Sequence, residues 1–185
     1  MNYMMTISSI FLILFLLVAT IDGIYFHLWK YKLFARAESL YEHKLHTIRA
    51  FLFIPIVFFL FYADFGGLAL WTGIFFILLD LAVEMFDVFA ENDSRASMGG
   101  LTSLEYAAHV AATTFRVAAV SFALAAKPIS AWDFSSPLIL GQFSSLISMN
   151  AVNTMFGNLL VVILHLLLMS KNFRSLPIFK CCQAS

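Results

Sequence analysis

Four carboxylates recur at helical spacing inside an otherwise apolar stretch of the chain. Asp80, Glu84, Asp87 and Glu91 are separated by four, three and four residues, which places their side chains on one face of an α-helix. Four like charges on one buried face cannot all stay ionised without positive partners, because burial and mutual repulsion both penalise the charged form. The spacing therefore predicts counter-charges in the form of bound cations, basic residues of segment 30–49, or protons.

A carboxylate and an imidazole lie one helical turn apart at two further places. Glu42 precedes His46 by four residues, and Glu105 precedes His109 by the same spacing, so each pair can hold one ion. Carboxylate mixed with imidazole is the ligand set of first-row transition metals, whereas calcium and magnesium favour oxygen ligands alone. We therefore predict a divalent transition metal, with iron first and zinc or manganese as alternatives.

The complete predicted ligand set combines these pairs with the helix between them. Glu84 and Asp87 are expected to bridge two ions, following the logic of two-metal sites in helix bundles. The spacing differs from that of ferritin-like di-iron proteins, in which Glu and His lie three residues apart. The chain also has fewer histidines than the pattern of membrane desaturases and hydroxylases. The predicted metal ligands are Glu42, His43, His46, Glu84, Asp87, Glu105 and His109.

The other histidines and acids of the apolar stretches have more ordinary interpretations. His27 and His165 are expected one turn from the membrane interface, where solvation is at least as favoured as metal ligation. Asp22 and Asp80 suit hydrogen bonds between helices. Glu91 is expected to face water.

A few further polar positions have predicted structural roles. Arg116 shares a helical stripe with the Glu105 and His109 pair, and it is expected to be a counter-charge for a carboxylate or an anionic ligand. Asn150 and Asn153 are expected to form hydrogen bonds between helices, and Gly157 to allow close helix packing. Glu38 is expected to pair with a Lys or Arg of a surface segment.

Membrane-spanning helices must position these residues. The 185-residue chain is 62% hydrophobic and 12% charged, about half the charged share of a soluble domain, which excludes disordered, collagen-like, nucleic-acid-binding and disulfide-scaffold classes. About 20 apolar residues are needed to cross a bilayer, and five stretches satisfy this length. We predict an all-α integral membrane protein, a single bundle of five transmembrane helices over residues 4–29, 43–62, 68–89, 101–126 and 146–169.

Basic residues near the ends of the stretches predict the orientation. Five alternating spans place nine Lys and Arg residues on one side, five within segment 30–49, Arg95, and three in the tail 170–185, against Lys127 alone on the other. The positive-inside rule then places the N-terminus outside and the C-terminus in the cytoplasm. No Lys or Arg occurs in residues 1–10, so the first stretch is interpreted as an uncleaved helix and not a signal peptide.

This topology places the polar residues in one slab at the cytoplasmic side, and the expected location is a bacterial inner (cytoplasmic) membrane. Cys181 and Cys182 lie in the cytoplasmic tail, where adjacent cysteines in a reducing compartment are not expected to form a disulfide. The expected partners are membrane lipid and a lipophilic small-molecule substrate, with oligomerisation left open and no nucleic acid.

Several functions fit the sequence, and the first is a membrane metalloprotein, an oxidoreductase or hydrolase acting on a lipophilic substrate. The second is a b-type cytochrome in which His43 or His46 pairs with His109 on haem iron. The third is a subunit of a proton-coupled or metal-ion-coupled transporter. The fourth is a scaffold without chemistry. The slab of carboxylates and imidazoles favours the first.

Overall fold

The computed structural model describes residues 3–170, and this range contains five long helices. The helices are α1 (Tyr3–Thr20), α2 (Leu40–Val57), α3 (Gly67–Arg95), α4 (Ser103–Ala125) and α5 (Ser145–Met169). The first continues into the π-helical segment Ile21–Lys30, and the second into the π-helical segment Phe58–Tyr62. Short 3-10 turns occupy Leu33–Ala35, Ala96–Met98 and Ile129–Trp132. Cys181, Cys182 and the three basic residues of the tail lie outside the described residues.

Four helical stretches within residues 3–170 are long and apolar enough to cross a membrane. They are Tyr3–Lys30, Leu40–Tyr62, Ser103–Ala125 and Ser145–Met169. This confirms the predicted all-helical fold class and the presence of candidate membrane-spanning helices. The remaining long helix, α3, carries the four predicted carboxylates between its middle and its C-terminal end.

The helices pack as two groups around a shared apolar core. α1 lies along α4, whereas α2 packs against both α3 and α5. The core unites side chains such as Leu12 of α1, Phe53 of α2, Ala123 of α4 and Ala151 of α5. This packing fixes the rotation of each helix about its own axis. The polar side chains of both helix groups therefore face the boundary between α1 with α4 on one side and α2 with α3 and α5 on the other.

A short antiparallel strand pair closes the end of the bundle where α2 finishes and α3 begins. β1 (Asp64–Phe65) pairs with β2 (Ile139–Gly141), an element that the apolar spacing does not predict. Gly67 begins α3 with φ +54°, and an added Cβ would lie 2.4 Å from the carbonyl oxygen of Ser136. Only glycine fits this position, because other residues would meet both the backbone strain and the clash.

Lys127 ties the loop after α4 to this strand pair. Its Nζ donates to Asp64 Oδ1 at 2.7 Å and to the carbonyl oxygen of Phe65 at 3.0 Å. The side chain is buried, with 1% of its surface exposed. Lys127, the one basic residue that the predicted topology places on the side opposite the cytoplasm, is therefore part of the packing at this end of the bundle.

Two of the predicted structural roles are confirmed and one is wrong. Asn150 Nδ2 donates to Ser9 Oγ at 2.9 Å, which joins α5 to α1. Glu38 lies 3.9 Å from Arg36, as predicted for a surface pair. Gly157 is not a close-packing position, because an added Cβ would meet nothing within 4 Å.

Candidate metal centre

Seven carboxylate and imidazole side chains from four helices converge at one end of the bundle. They form three overlapping groups, each with three potential ligand atoms within 4.8 Å of one another. His27 belongs to two of the groups and His46 to two, so the groups are contiguous. We call them together the acid–imidazole cluster, which consists of Asp22, His27, Glu42, His46, Asp87, Glu91 and His109.

His109 of α4 lies between two carboxylates from other helices. Its Nε2 is 3.0 Å from Asp22 Oδ1, and its Nδ1 is 2.9 Å from Glu91 Oε1. Glu91 was expected to face water, and this was wrong, because its side chain is only 14% exposed and lies against the imidazole. Asp22 contacts a neighbouring helix through His109, but the hydrogen bond between helices that the sequence predicted is not formed, because Asp22 Oδ1 has no hydrogen-bond partner among residues 3–170.

His46 of α2 has an equivalent position between two other carboxylates. Its Nε2 is 3.4 Å from Glu42 Oε1, and its Nδ1 is 3.5 Å from Asp87 Oδ2. Glu42 and Asp87 are each fully buried. His46 therefore connects α2 to α3 in the way that His109 connects α4 to α1 and α3.

His27 links the two halves of the cluster. Its Nε2 lies 3.7 Å from Asp22 Oδ2 and 3.9 Å from Glu42 Oε1. Its ring centroid is 4.4 Å from that of His46 and 5.6 Å from that of His109. The ring is 3% exposed, so the expected alternative of a solvated interfacial histidine is wrong for His27.

These close atom pairs do not have hydrogen-bond geometry. Six buried atoms of the cluster have no hydrogen-bond partner among residues 3–170. They are both ring nitrogens of His109, the Nε2 atoms of His27 and His46, Asp22 Oδ1 and Asp87 Oδ1. Ligands bound to a common ion at about 2.1 Å lie about 3.0–3.4 Å apart in octahedral or tetrahedral sites. The nearest nitrogen–oxygen separations in the cluster, 2.9 to 3.5 Å, match that spacing.

The π-helical segment explains why two residues five positions apart join one site. In an α-helix, Asp22 and His27 would point about 140° apart, since each residue turns the chain by about 100°. The i→i+5 hydrogen bonds of a π-helix instead place residues at this spacing above one another. Both side chains lie within the segment Ile21–Lys30, and both reach the cluster.

Arg95, at the last position of α3, is a buried counter-charge beside the cluster. Its Nη1 donates to Glu42 Oε2 at 2.7 Å, and its Nε donates to Glu105 Oε1 at 2.9 Å. The ring of Tyr31 lies 4.9 Å from its guanidinium carbon. Charge counting placed Arg95 on the cytoplasmic side without predicting its burial, and none of its surface is exposed. It holds Glu42 in the orientation that faces His46.

Two further arginines neutralise the carboxylates one and two turns deeper along α3. Arg116 donates to Asp80 and Glu84, which confirms its predicted role as a counter-charge. Arg49 donates to Asp87 Oδ2 at 2.7 Å and to Glu84 Oε1 at 2.9 Å. Of the partners predicted for the stripe, basic residues therefore contact three of the four carboxylates, Asp80, Glu84 and Asp87.

His43 and His165 form a separate pair beside α2 and α5. Their ring centroids are 4.3 Å apart, and His165 Nδ1 lies 3.1 Å from the hydroxyl of Thr47. His165 is 7% exposed, so it is buried and not solvated.

The predicted ligand set is therefore divided among three locations. The structure brings Glu42, His46, Asp87 and His109 together in the acid–imidazole cluster. Glu84 and Glu105 contact arginines, and His43 lies against His165. The cluster gains the three residues that received ordinary interpretations, Asp22, His27 and Glu91.

The whole polar network carries more negative than positive charge. Seven carboxylates meet three guanidiniums, which leaves four negative charges before the imidazoles are counted. The negative members are Asp22, Glu42, Asp80, Glu84, Asp87, Glu91 and Glu105. Two divalent ions or four protons would balance them, and buried charges need such a balance.

A cavity of about 670 Å³ lies between the two helix groups and borders the cluster. Asp22, His27 and His109 form part of its polar wall, and Phe15 and Leu164 part of its apolar wall. Its volume is within the range of ligand sites, about 300–1,000 Å³. Comparison of the chain with protein-family models, curated proteins and solved structures gives no match. The geometry of this site is therefore the basis for its functional assignment.

Proposed function

We propose that the chain is an integral membrane metalloprotein in which the acid–imidazole cluster holds two divalent transition-metal ions. The observation that carries the proposal is the set of buried imidazole nitrogens that face carboxylate oxygens at ligand–ligand distances without hydrogen-bond geometry. The excess of four negative charges equals the charge of two such ions. The mixed nitrogen and oxygen donors suit iron first, with zinc or manganese as alternatives.

The residues around the ions supply positioning and charge. His46 and His109 would each contribute an imidazole, and Asp87 and Glu91, one turn apart on α3, would lie between them. Arg95 fixes Glu42 through two donor atoms, which orients the carboxylate and lowers its mobility. Ions in this position would polarise a substrate or activate water or O₂, which suits an oxidoreductase or hydrolase acting on a lipophilic molecule from the cavity.

In the proposed topology α3 also crosses the bilayer, which gives five spans with the N-terminus outside. Its 29 residues extend about 44 Å at 1.5 Å per residue, more than the hydrocarbon thickness of about 30 Å. The excess of Lys and Arg in segment 30–49 supports a cytoplasmic position for the cluster. Fusion of a cytoplasm-only reporter and of a periplasm-only reporter after residue 185 tests the orientation, and activity of the second would overturn it.

Elemental analysis of protein purified in mild detergent tests the metal proposal. The wild-type chain should carry about two equivalents of one transition metal, and Asp22→Asn or His46→Gln should lose at least one, because each removes a ligand of the cluster. Glu105→Gln is the matched control, since it changes a buried carboxylate at the same end of the bundle that contacts Arg95 and no imidazole of the cluster.

Metal contents are normalised to monodisperse protein, so that unfolding of a variant is not counted as loss of a ligand. Wild-type protein without stoichiometric metal after reconstitution with iron, zinc and manganese in turn would overturn the proposal. Equal metal loss in Glu105→Gln and His46→Gln would overturn the ligand assignment.

A proton relay is the second candidate, and the alternation of carboxylate and imidazole along the cluster favours it. Four protons would balance the charge as well as two ions do. Proton flux into proteoliposomes that is abolished by Asp22→Asn and unaffected by chelators would support this function over the first. The haem alternative is tested by an optical spectrum, in which a Soret band is required. His27 lies between His46 and His109, an arrangement that favours ions over a planar porphyrin.

A further inference from the structure

The three overlapping groups of the acid–imidazole cluster cannot all hold an ion at once. The groups are Asp22 with His27 and His109, His27 with Glu42 and His46, and His46 with Asp87 and Glu91. A neutral imidazole has one nitrogen with a free lone pair, so each histidine can serve one ion. The second group shares a histidine with each of the other two, whereas the first and third groups share no residue. Two ions are therefore accommodated by the first and third groups together.

The first group, which we call the nitrogen-rich site, combines Asp22, His27 and His109. Asp22 Oδ1 lies 3.0 Å from His109 Nε2, and Asp22 Oδ2 lies 3.7 Å from His27 Nε2. Asp22 Oδ1 and the Nε2 atoms of both histidines are buried without a hydrogen-bond partner among residues 3–170. An ion bound here would have two imidazole nitrogens and one carboxylate oxygen as protein ligands.

The third group, which we call the oxygen-rich site, combines His46, Asp87 and Glu91. His46 Nδ1 lies 3.5 Å from Asp87 Oδ2. Asp87 Oδ1 is buried and has no hydrogen-bond partner in the part of the chain that the structure describes. An ion bound here would have two carboxylate oxygens and one imidazole nitrogen as protein ligands.

The surroundings of His109 and His46 indicate which ring nitrogen of each would bind the ion. His109 Nδ1 lies 2.9 Å from Glu91 Oε1, and His46 Nε2 lies 3.4 Å from Glu42 Oε1. A metal-bound histidine almost always directs its other ring nitrogen at a carboxylate, a carbonyl or water, which fixes the tautomer. His109 Nε2 and His46 Nδ1 then remain for the ions, and these two nitrogens face Asp22 and Asp87.

We infer that the two sites select different metals, zinc or iron at the nitrogen-rich site and manganese at the oxygen-rich site. Imidazole suits zinc and iron, whereas carboxylate suits manganese. This assignment rests on the proposed function, because it requires that the cluster binds two ions. It adds a separate ligand set for each ion and makes the pair a mixed-metal centre.

Competition between manganese and zinc in the full-length wild-type chain tests the inference. Two neighbouring Mn²⁺ ions broaden each other's electron paramagnetic resonance lines, whereas one Mn²⁺ beside a diamagnetic Zn²⁺ gives resolved hyperfine lines. Zinc binds most nitrogen and oxygen sites more tightly than manganese does, but the preference should be about tenfold larger at the nitrogen-rich site. One equivalent of Zn²⁺ added to manganese-loaded protein should therefore leave one Mn²⁺ per chain with resolved lines.

Two matched variants identify the site at which zinc replaces manganese. His109→Gln removes an imidazole from the nitrogen-rich site, and His46→Gln removes the imidazole of the oxygen-rich site. Each variant should bind about one ion per chain, because the other site keeps its ligands. Zinc should displace manganese from His46→Gln at about tenfold lower concentration than from His109→Gln.

The outcomes separate this inference from the metal proposal. Random exchange, in which the resolved signal stays well below one Mn²⁺ per chain after one equivalent of Zn²⁺, would overturn the mixed-metal assignment. The two bound ions would still support the proposed function. Equal zinc concentrations for displacement in the two variants would overturn the assignment in the same way. A wild-type chain that binds neither metal would overturn both, and the wild-type titration decides the question even where a variant does not fold.

Discussion

Replacement of Arg95 by methionine is expected to destabilise the fold more than replacement of any surface charge. The guanidinium and its two carboxylate partners, Glu42 and Glu105, each have 0% side-chain exposure, so none can be resolvated when the partner is removed. Loss of one member of a buried ion pair costs about 3–5 kcal/mol. Because Arg95 serves two carboxylates, we expect Arg95→Met at the upper end of this range. Methionine keeps much of the side-chain volume, which limits the effect of a cavity.

The structure also predicts how much of the lost free energy of unfolding a second substitution restores. The double variant Arg95→Met/Glu105→Gln neutralises Glu105, one of the two buried carboxylates that Arg95→Met leaves without a counter-charge. The two changes should therefore couple by about 1–2 kcal/mol, within the range for contacting residues. Free energies of unfolding are measured by denaturant titration in mixed micelles for wild type, both single variants and the double variant.

Two outcomes would refute this reasoning. The first is an Arg95→Met variant within 1 kcal/mol of the wild-type chain, which is the result for an exposed arginine. The second is strict additivity of the two changes, which would mean that Arg95 and Glu105 do not share a buried interaction. Glu38→Gln is the control, because Glu38 pairs with Arg36 at a partly exposed site and should change stability little.

Three further perturbations have clear expected results. Addition of the bound metal to metal-free protein should raise the thermal unfolding temperature of the wild-type chain and not that of His46→Gln, because only a competent site gains binding free energy. Gly73→Leu should destabilise by about 1–3 kcal/mol, since an added Cβ lies 2.8 Å from the Cβ of Phe59; a measured change below 0.5 kcal/mol would contradict this packing. Burial lowers the pKa of Lys127 against the opposing contact with Asp64, so the unfolded chain binds this proton more tightly. Stability should then rise as the pH increases from the folded pKa toward the unfolded value, and Lys127→Met should lack that rise when unfolding is followed at alkaline pH.

The helical class and much of the polar site could be predicted because both depend on local periodicity. Apolar runs of membrane length dictate helices whatever their partners, and the spacing of Asp80, Glu84, Asp87 and Glu91 defines one face of α3 without reference to the rest of the fold. Glu42 and His46 likewise share a face. For these residues, the spacing in the sequence is enough to predict which side chains share a helix face, because the α-helical repeat is fixed.

The errors arise where geometry depends on a departure from that repeat or on a partner distant in sequence. Asp22 and His27 lie on one face only because residues 21–30 are π-helical, and a spacing of five gives no pattern under an α-helical repeat. The burial of Arg95 was not predicted, because counting Lys and Arg reveals position along the chain and not burial. Its partners, Glu42 and Glu105, are 53 and 10 residues away.

The distribution of the three arginines identifies which part of the polar network requires cations. Arg49 and Arg116 contact Asp80, Glu84 and Asp87, so each of these carboxylates has a guanidinium partner. In the part of the chain that the structure describes, Asp22 and Glu91 have only imidazoles as polar partners. Neutral imidazoles supply no charge, so this end of the network must bind metal ions or protons. The need for added positive charge is therefore greatest around Asp22, Glu91 and His109, the part of the acid–imidazole cluster that no arginine contacts among residues 3–170 and that borders the cavity.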